Sequence, residues 1–116
     1  MKRFLAVFIG TEASSAKWEK LDPKTREERE EAGKKAWYAW VEKNKKSIIE
    51  GGSPLGVTKK IGPQGISDFS NELCAFTIVQ AESHEAATKL FIDHPHFAIF
   101  PGDSVEVMEC LPIPGM

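Results

Sequence analysis

The chain has 116 residues, of which 41% are hydrophobic and 28% are charged, and its formal net charge is −2. This length fits one domain with a modest core, which we expect to cover residues 1–116. Acidic and basic residues are interleaved, as in 25–31, so the basic stripe of a nucleic-acid binder is missing. No run approaches the roughly 18 apolar residues of a membrane span. We therefore expect neither nucleic acid nor a membrane as a partner.

The first predicted element is a strand over residues 4–9, which ends at Gly10 and Thr11. Its apolar run resembles a signal peptide but is shorter than the roughly 7–15 residues such signals need. Two cysteines, Cys74 and Cys110, have no zinc-ligand spacing and fit a reducing compartment. We expect a cytoplasmic protein with two free thiols.

Residues 11–21 are small and polar apart from Trp18, and we interpret them as a loop that is at most partly helical. A long helix follows, which either Asp22 or Thr25 can cap, and it runs to about Lys46. The inward face of this helix has helical spacing and consists of Gly33, Ala36, Trp37, Trp40 and Val41.

The second half of the chain continues the alternation of strands and helices. A short strand at 47–50 ends at Gly51-Gly52-Ser53-Pro54, and glycines within 57–69 indicate a hairpin. A strong strand covers 73–81, Ser83 caps a second helix that Pro95 stops, and the last strand covers 105–111.

This order is the ferredoxin-like βαββαβ arrangement with an added hairpin, an α+β fold with a four-stranded antiparallel sheet. Right-handed crossovers place the strands at 4–9 and 73–79 in the centre of the sheet. Both of these strands are apolar on both faces, whereas two helices cover one face. A bare apolar sheet face indicates an interface, so we expect a homodimer with the two sheets face to face. The alternative is that segment 57–70 folds over the bare face, but this segment has few large apolar residues.

The chain resembles the YCII-related family of the dimeric α/β-barrel group. The resemblance rests on the opening strand Met1–Leu5, the segment 49–55, the glycine-rich segment 56–65, the helix 85–92, the segment 93–97 and the strand 105–107. It implies a small-molecule pocket between helix, sheet and the Asp-Pro segment, and for some members a lyase or dehalogenating activity that uses a His–Asp pair. The family pattern also places a histidine in the first helix, where this chain has Lys34-Lys35-Ala36-Trp37-Tyr38.

The candidate catalytic residues are Asp93, His94 and His96, around the proline that stops the second helix. A histidine at a helix C-terminus retains its proton more readily, and Asp93 can orient an imidazole for acid/base chemistry. We expect His94, the nearer to Asp93, to enter the pocket with a pKa near or above roughly 6.5. The alternative is that Asp93 braces the turn and both histidines are partly exposed.

The candidate substrate-binding residues are Trp37 and Trp40, as pocket walls, and Ser53, as a donor to an anion. Each also has a plain structural interpretation, as core or as turn. His94, His96 and Asp93 lack a further metal ligand fixed by spacing, so neither a metal nor another cofactor is expected. Two functions remain open: a lyase- or isomerase-type enzyme with an Asp–His pair, and a non-catalytic module that binds a small metabolite or a partner protein.

Overall fold

A computed structural model describes residues 1–115, and Met116 of the expected domain 1–116 lies outside the described residues. The strands are β1 (Lys2–Ile9), β2 (Ile48–Pro54), β3 (Thr58–Gly62), β4 (Gly65–Phe69), β5 (Leu73–Ala81) and β6 (Ser104–Glu109). The helices are α1 (Glu12–Glu19), α2 (Pro23–Lys43), α3 (His84–Lys89) and α4 (Pro95–Ala98).

The main sheet is antiparallel and has the order β2-β5-β1-β6. The two most apolar strands, β1 and β5, are central, which confirms the predicted ferredoxin-like α+β topology. Phe4 lies opposite Val79 in the pairing of β1 with β5, and both are fully buried. Because side chains alternate between the faces of a strand, this register fixes which residues of both strands face the helices.

The core lies between the sheet and the helices. Its buried members are Phe4, Ala6, Phe8, Trp40, Val79, Ala81, Ala87 and Phe91. Each Å² of apolar surface that these residues bury stabilises the folded chain by about 25 cal/mol. The predicted inward face of α2 is confirmed at Gly33 and Trp40, the two buried residues of that helix.

The helix caps resolve two questions that the sequence left open. Asp22 is the N-cap of α2 and accepts a hydrogen bond from the backbone N–H of Thr25 at 2.9 Å. Within the segment interpreted as a partly helical loop, residues 12–19 form a helix, which Thr11 caps by accepting a hydrogen bond from the N–H of Ser14. None of the residues of α1 is buried, so it has no apolar face from which a helix could be predicted.

Strand β2 is longer than the predicted 47–50 and continues through Gly51 and Gly52 to Pro54. Its pairing with β5 shifts register twice, once on each side of Glu50. The Thr77 hydroxyl donates to the Gly51 carbonyl at 3.1 Å, which ties the irregular part of β2 to β5. The expected end of α2 also moves, from about Lys46 to Lys43.

The second face of the sheet is not covered by the hairpin β3–β4. Leu5, Val7, Phe76 and Ile78 lie on this face and are half-buried, whereas every residue of β4 is exposed. Both cysteines are free and exposed. Within residues 1–115, the helices include none that is long and apolar enough to cross a membrane.

Candidate functional site

A cavity of about 370 Å³ opens between α2 and the β2 side of the sheet. It is lined by Phe8, Lys34, Trp37, Tyr38, Gly51, Gly52, Ser53, Pro54, Ala75, Phe76 and Phe100. This volume lies at the lower end of the roughly 300–1,000 Å³ range of small-molecule sites. Aromatic side chains form much of its wall, and its polar groups lie on α2 and β2.

Two glycines shape this cavity. A Cβ on Gly33 would lie 2.5 Å from the ring of Phe100, so the absence of a side chain lets Phe100 pack directly on α2. Gly52 has a φ of +71°, and a Cβ there would lie 1.8 Å from the carbonyl oxygen of Phe76. Glycine is therefore required at position 52 both by the backbone conformation and by the close approach of β5.

His94 lies directly behind the aromatic wall of the cavity. Its side chain has no solvent exposure, and its ring centroid lies 5.0 Å from that of Phe8 and 4.5 Å from that of Trp37. Trp40 also packs on it, at 4.6 Å. His94 therefore contacts both tryptophans of α2, and two of its aromatic neighbours, Phe8 and Trp37, line the cavity.

The tautomer of His94 follows from its hydrogen bonds. Nδ1 accepts a hydrogen bond from the backbone N–H of His96 at 3.0 Å, so in the neutral ring the proton is on Nε2. Within residues 1–115, Nε2 of His94 is the one buried side-chain nitrogen or oxygen without a hydrogen-bond partner. Burial, with a smaller contribution from His96, lowers the pKa of His94 to about 4. This is opposite to the expected value near or above 6.5, because the ring is enclosed rather than open at the helix end.

His96 is also buried, but its ring is used structurally. Its Nε2 donates to the carbonyl oxygen of Ile9 at 2.8 Å, which joins α4 to the end of β1. Burial lowers its pKa, and the Ile9 hydrogen bond and Asp103 oppose that shift. The Asp103 carboxylate is itself held by the backbone N–H of Thr11, which lowers its pKa.

Asp93 lies on the other side of α2 from the cavity. It is exposed, has a left-handed φ of 55°, and lines a separate groove together with Trp40 and Lys43. In the described residues it forms no hydrogen bond with His94 or His96. The structure thus brings together the two histidines and the two tryptophans, but it does not join the Asp93 carboxylate to an imidazole.

Among the other predicted site residues, Trp37 and Ser53 line the cavity, while Trp40 donates its Nε1–H to the Leu90 carbonyl at 2.8 Å. Sequence reasoning missed Lys34, Tyr38 and Phe100, because charged or aromatic residues at these spacings carry no distinctive signal. Within residues 1–115, no three His, Cys, Asp or Glu side chains converge in a way that would hold a metal ion.

Comparison with known proteins finds similarity to solved structures, but no family model and no curated protein. No protein-family model matches the chain, and no curated protein matches it. A solved structure of 5-chloro-2-hydroxyhydroquinone dehydrochlorinase (TftG) from Burkholderia phenoliruptrix AC1100, in complex with 2,5-dihydroxybenzoquinone, superimposes with a TM-score of 0.52. The two are 18% identical, and the match covers 91% of this chain and 90% of that chain. At this identity the likeness shows the fold alone: the chain has the fold of the dimeric α/β-barrel group.

Proposed function

We propose that this protein is a homodimer that binds a small planar organic molecule in the cavity between α2 and the sheet. The observation that carries the proposal is the placement of an unpaired, buried imidazole N–H directly behind the aromatic wall of that cavity. Phe8, Trp37 and Phe100 suit the faces of a ring. The side chains of Ser53, Tyr38 and Lys34 add polar groups for oxygen substituents of the ring.

The chemistry that we propose is of the lyase or isomerase type, in which the ligand exchanges a proton with water and the neutral His94 ring stabilises the negative charge that develops on a ligand oxygen. Because Nδ1 is occupied by the His96 N–H, Nε2 carries the proton and acts as a hydrogen-bond donor rather than as a base. A pKa of about 4 keeps the ring neutral at pH 7. A carbonyl or phenolate oxygen of the ligand is the partner that this N–H would take.

The structural neighbour supports the ligand class. TftG is a dehydrochlorinase whose complex contains 2,5-dihydroxybenzoquinone, a flat ring that carries oxygen substituents. The cavity of about 370 Å³ has room for a single ring of this kind. We carry this ligand class to the present chain as part of the proposal, since 18% identity extends no further than the fold.

The Asp–His pair predicted from the sequence is a less favoured form of the same proposal. Asp93 lies in a separate groove, so pairing with His94 requires the 93–95 segment to rearrange. The second candidate function is non-catalytic binding of a small metabolite or partner in the same cavity. The observation that favours this candidate is the complete burial of His94, because an enclosed ring makes no contact with a molecule bound in the cavity.

Calorimetric titration with 2,5-dihydroxybenzoquinone tests the binding proposal. We expect saturable binding that Trp37→Leu weakens at least tenfold, because this change removes one wall of the cavity. Phe97→Leu is the matched control, since Phe97 lines a different groove and its loss should leave affinity unchanged. Absence of binding, or equal effects of both variants, contradicts the proposed site.

Proton NMR in D₂O separates the enzyme from the binding module. We expect the protein to accelerate exchange of the ring hydrogens of the bound quinone, and we expect His94→Asn to bind the quinone but lose this acceleration. Binding without acceleration in the natural protein would support the non-catalytic module instead.

A further inference from the structure

The hairpin β3–β4 is an amphipathic arm that its own chain leaves uncovered. Ile61 lies directly opposite Ile66 in the pairing, so both side chains point to the same face of the arm. They are 76% and 72% exposed. On this face the neighbouring pair is Lys59 and Asp68, which form a salt bridge, so the face carries no net charge there.

The opposite face of the arm is suited to solvent. Lys60 lies opposite Ser67 and extends its amine over the Phe69 ring at 4.6 Å. The long apolar stem of a lysine shields such a ring while its charge stays in water. The arm therefore has one face that is suited to water and one face on which two adjacent isoleucines are exposed to water.

An isolated two-stranded hairpin is marginally stable in water. Strands β3 and β4 form a separate two-stranded sheet, and neither pairs with a strand of the main sheet. A defined arm with an exposed apolar pair is therefore expected to gain its stability from another surface. A second copy offers such a surface at the margin of its half-buried apolar sheet face, which consists of Leu5, Val7, Phe76 and Ile78. The net charge of −2 allows two copies to approach with little repulsion.

Area favours a second copy as the occupant. Strands lie about 4.8 Å apart and rise about 3.3 Å per residue, so four strands of about six residues give a flat face of about 400 Å². Stable interfaces bury about 800 Å² on each partner. One face of the arm adds about 160 Å² by the same spacings. In a two-fold dimer each copy both supplies and receives an arm, which brings the contact to about 700 Å² per copy.

We infer that the hairpin Thr58–Phe69 is an assembly clasp, whose Ile61–Ile66 face packs on a second copy of this chain at the margin of the sheet-to-sheet contact. The inference rests on the proposed homodimer. It goes further by assigning a role to the hairpin, and by making dimer stability depend on the tip of the arm.

Sedimentation velocity over a range of protein concentrations tests this inference with three variants. Ile66→Asp should raise the dimer dissociation constant at least tenfold. Ser67→Asp, the adjacent residue on the opposite face, makes the same charge change and should alter the constant less than threefold. Ile78→Arg, on the open sheet face, should abolish the dimer. Circular dichroism should show all three variants folded, because none of these side chains is fully buried in its own chain.

The outcomes separate the clasp from the dimer itself. A dimer lost on Ile78→Arg but unchanged by Ile66→Asp would overturn the clasp and leave the sheet contact standing. Equal effects of Ile66→Asp and Ser67→Asp would also overturn it, and a monomeric natural chain would overturn both ideas. Amide hydrogen exchange gives a second measurement. The exchange rates of amides 58–69 should fall when the dimer forms and rise again when dilution dissociates it. Exchange that does not depend on concentration contradicts the clasp.

Discussion

The enclosure of His94 makes the stability of this protein depend on pH. Its ordinary pKa is 6.5 and burial lowers it to about 4 in the folded chain, so the unfolded chain takes up the proton first as the pH falls. The stabilisation is therefore complete above roughly pH 6.5 and is lost progressively toward pH 4. One pKa unit corresponds to about 1.4 kcal/mol, which gives a loss of about 2 kcal/mol between pH 7 and pH 5. His96 contributes in the same direction.

Urea unfolding at a series of pH values from 7 to 5, at fixed protein concentration, measures this dependence. His94→Asn removes the titrating ring, while asparagine at an N-cap still offers an oxygen to the His96 N–H. At pH 7 we expect this variant to be less stable by about 1–3 kcal/mol, because the void left by the ring outweighs relief of the unpaired N–H. Its loss of stability toward pH 5 should be clearly smaller than that of the natural chain.

Phe91→Leu is the matched control, because Phe91 is buried at 3% exposure and contacts the same ring. It should lower stability by about 1–2 kcal/mol at every pH and leave the shape of the pH curve unchanged. If the natural chain keeps the same stability from pH 7 to pH 5, or if His94→Asn retains the full slope, the assignment of the buried neutral imidazole is refuted.

Three further predictions follow from the fold. Gly33→Ala should displace the Phe100 ring and weaken quinone binding severalfold, since overpacking costs about 1–3 kcal/mol against a helix-propensity gain of about 1 kcal/mol; unchanged binding in calorimetry would place Phe100 outside the site. Cys74 and Cys110 should both react with a thiol reagent after denaturation without reductant, and recovery of one intramolecular disulfide would contradict the strand order. Sedimentation at micromolar concentration should give about twice the chain mass of 12.9 kDa, and a monomer with little exposed apolar surface would contradict the dimer.

Local sequence patterns determined much of the architecture. Apolar residues on both faces of 4–9 and 73–79 identified the central strands, because the most apolar strands are expected in the middle of a sheet rather than at its exposed edges. Asp22-Pro23 and Ser83 marked the beginnings of α2 and α3 through their capping chemistry. Strand patterns and helix caps depend on residues that are close together in the chain, so they can be predicted from the sequence alone.

Tertiary packing decided the site. The sequence places Asp93, His94 and His96 side by side, yet only the fold determines that His94 turns inward against Trp37 and Trp40 while Asp93 faces a separate groove. Helix α1 was predicted only as a possible helical part of a loop for a related reason, since no buried face of its own marks it. The protonation of His94 depends on burial by residues that lie far apart in the chain. Which neighbours enclose a ring is set by the assembled sheet and helices, and this information is absent from the spacing of the residues themselves.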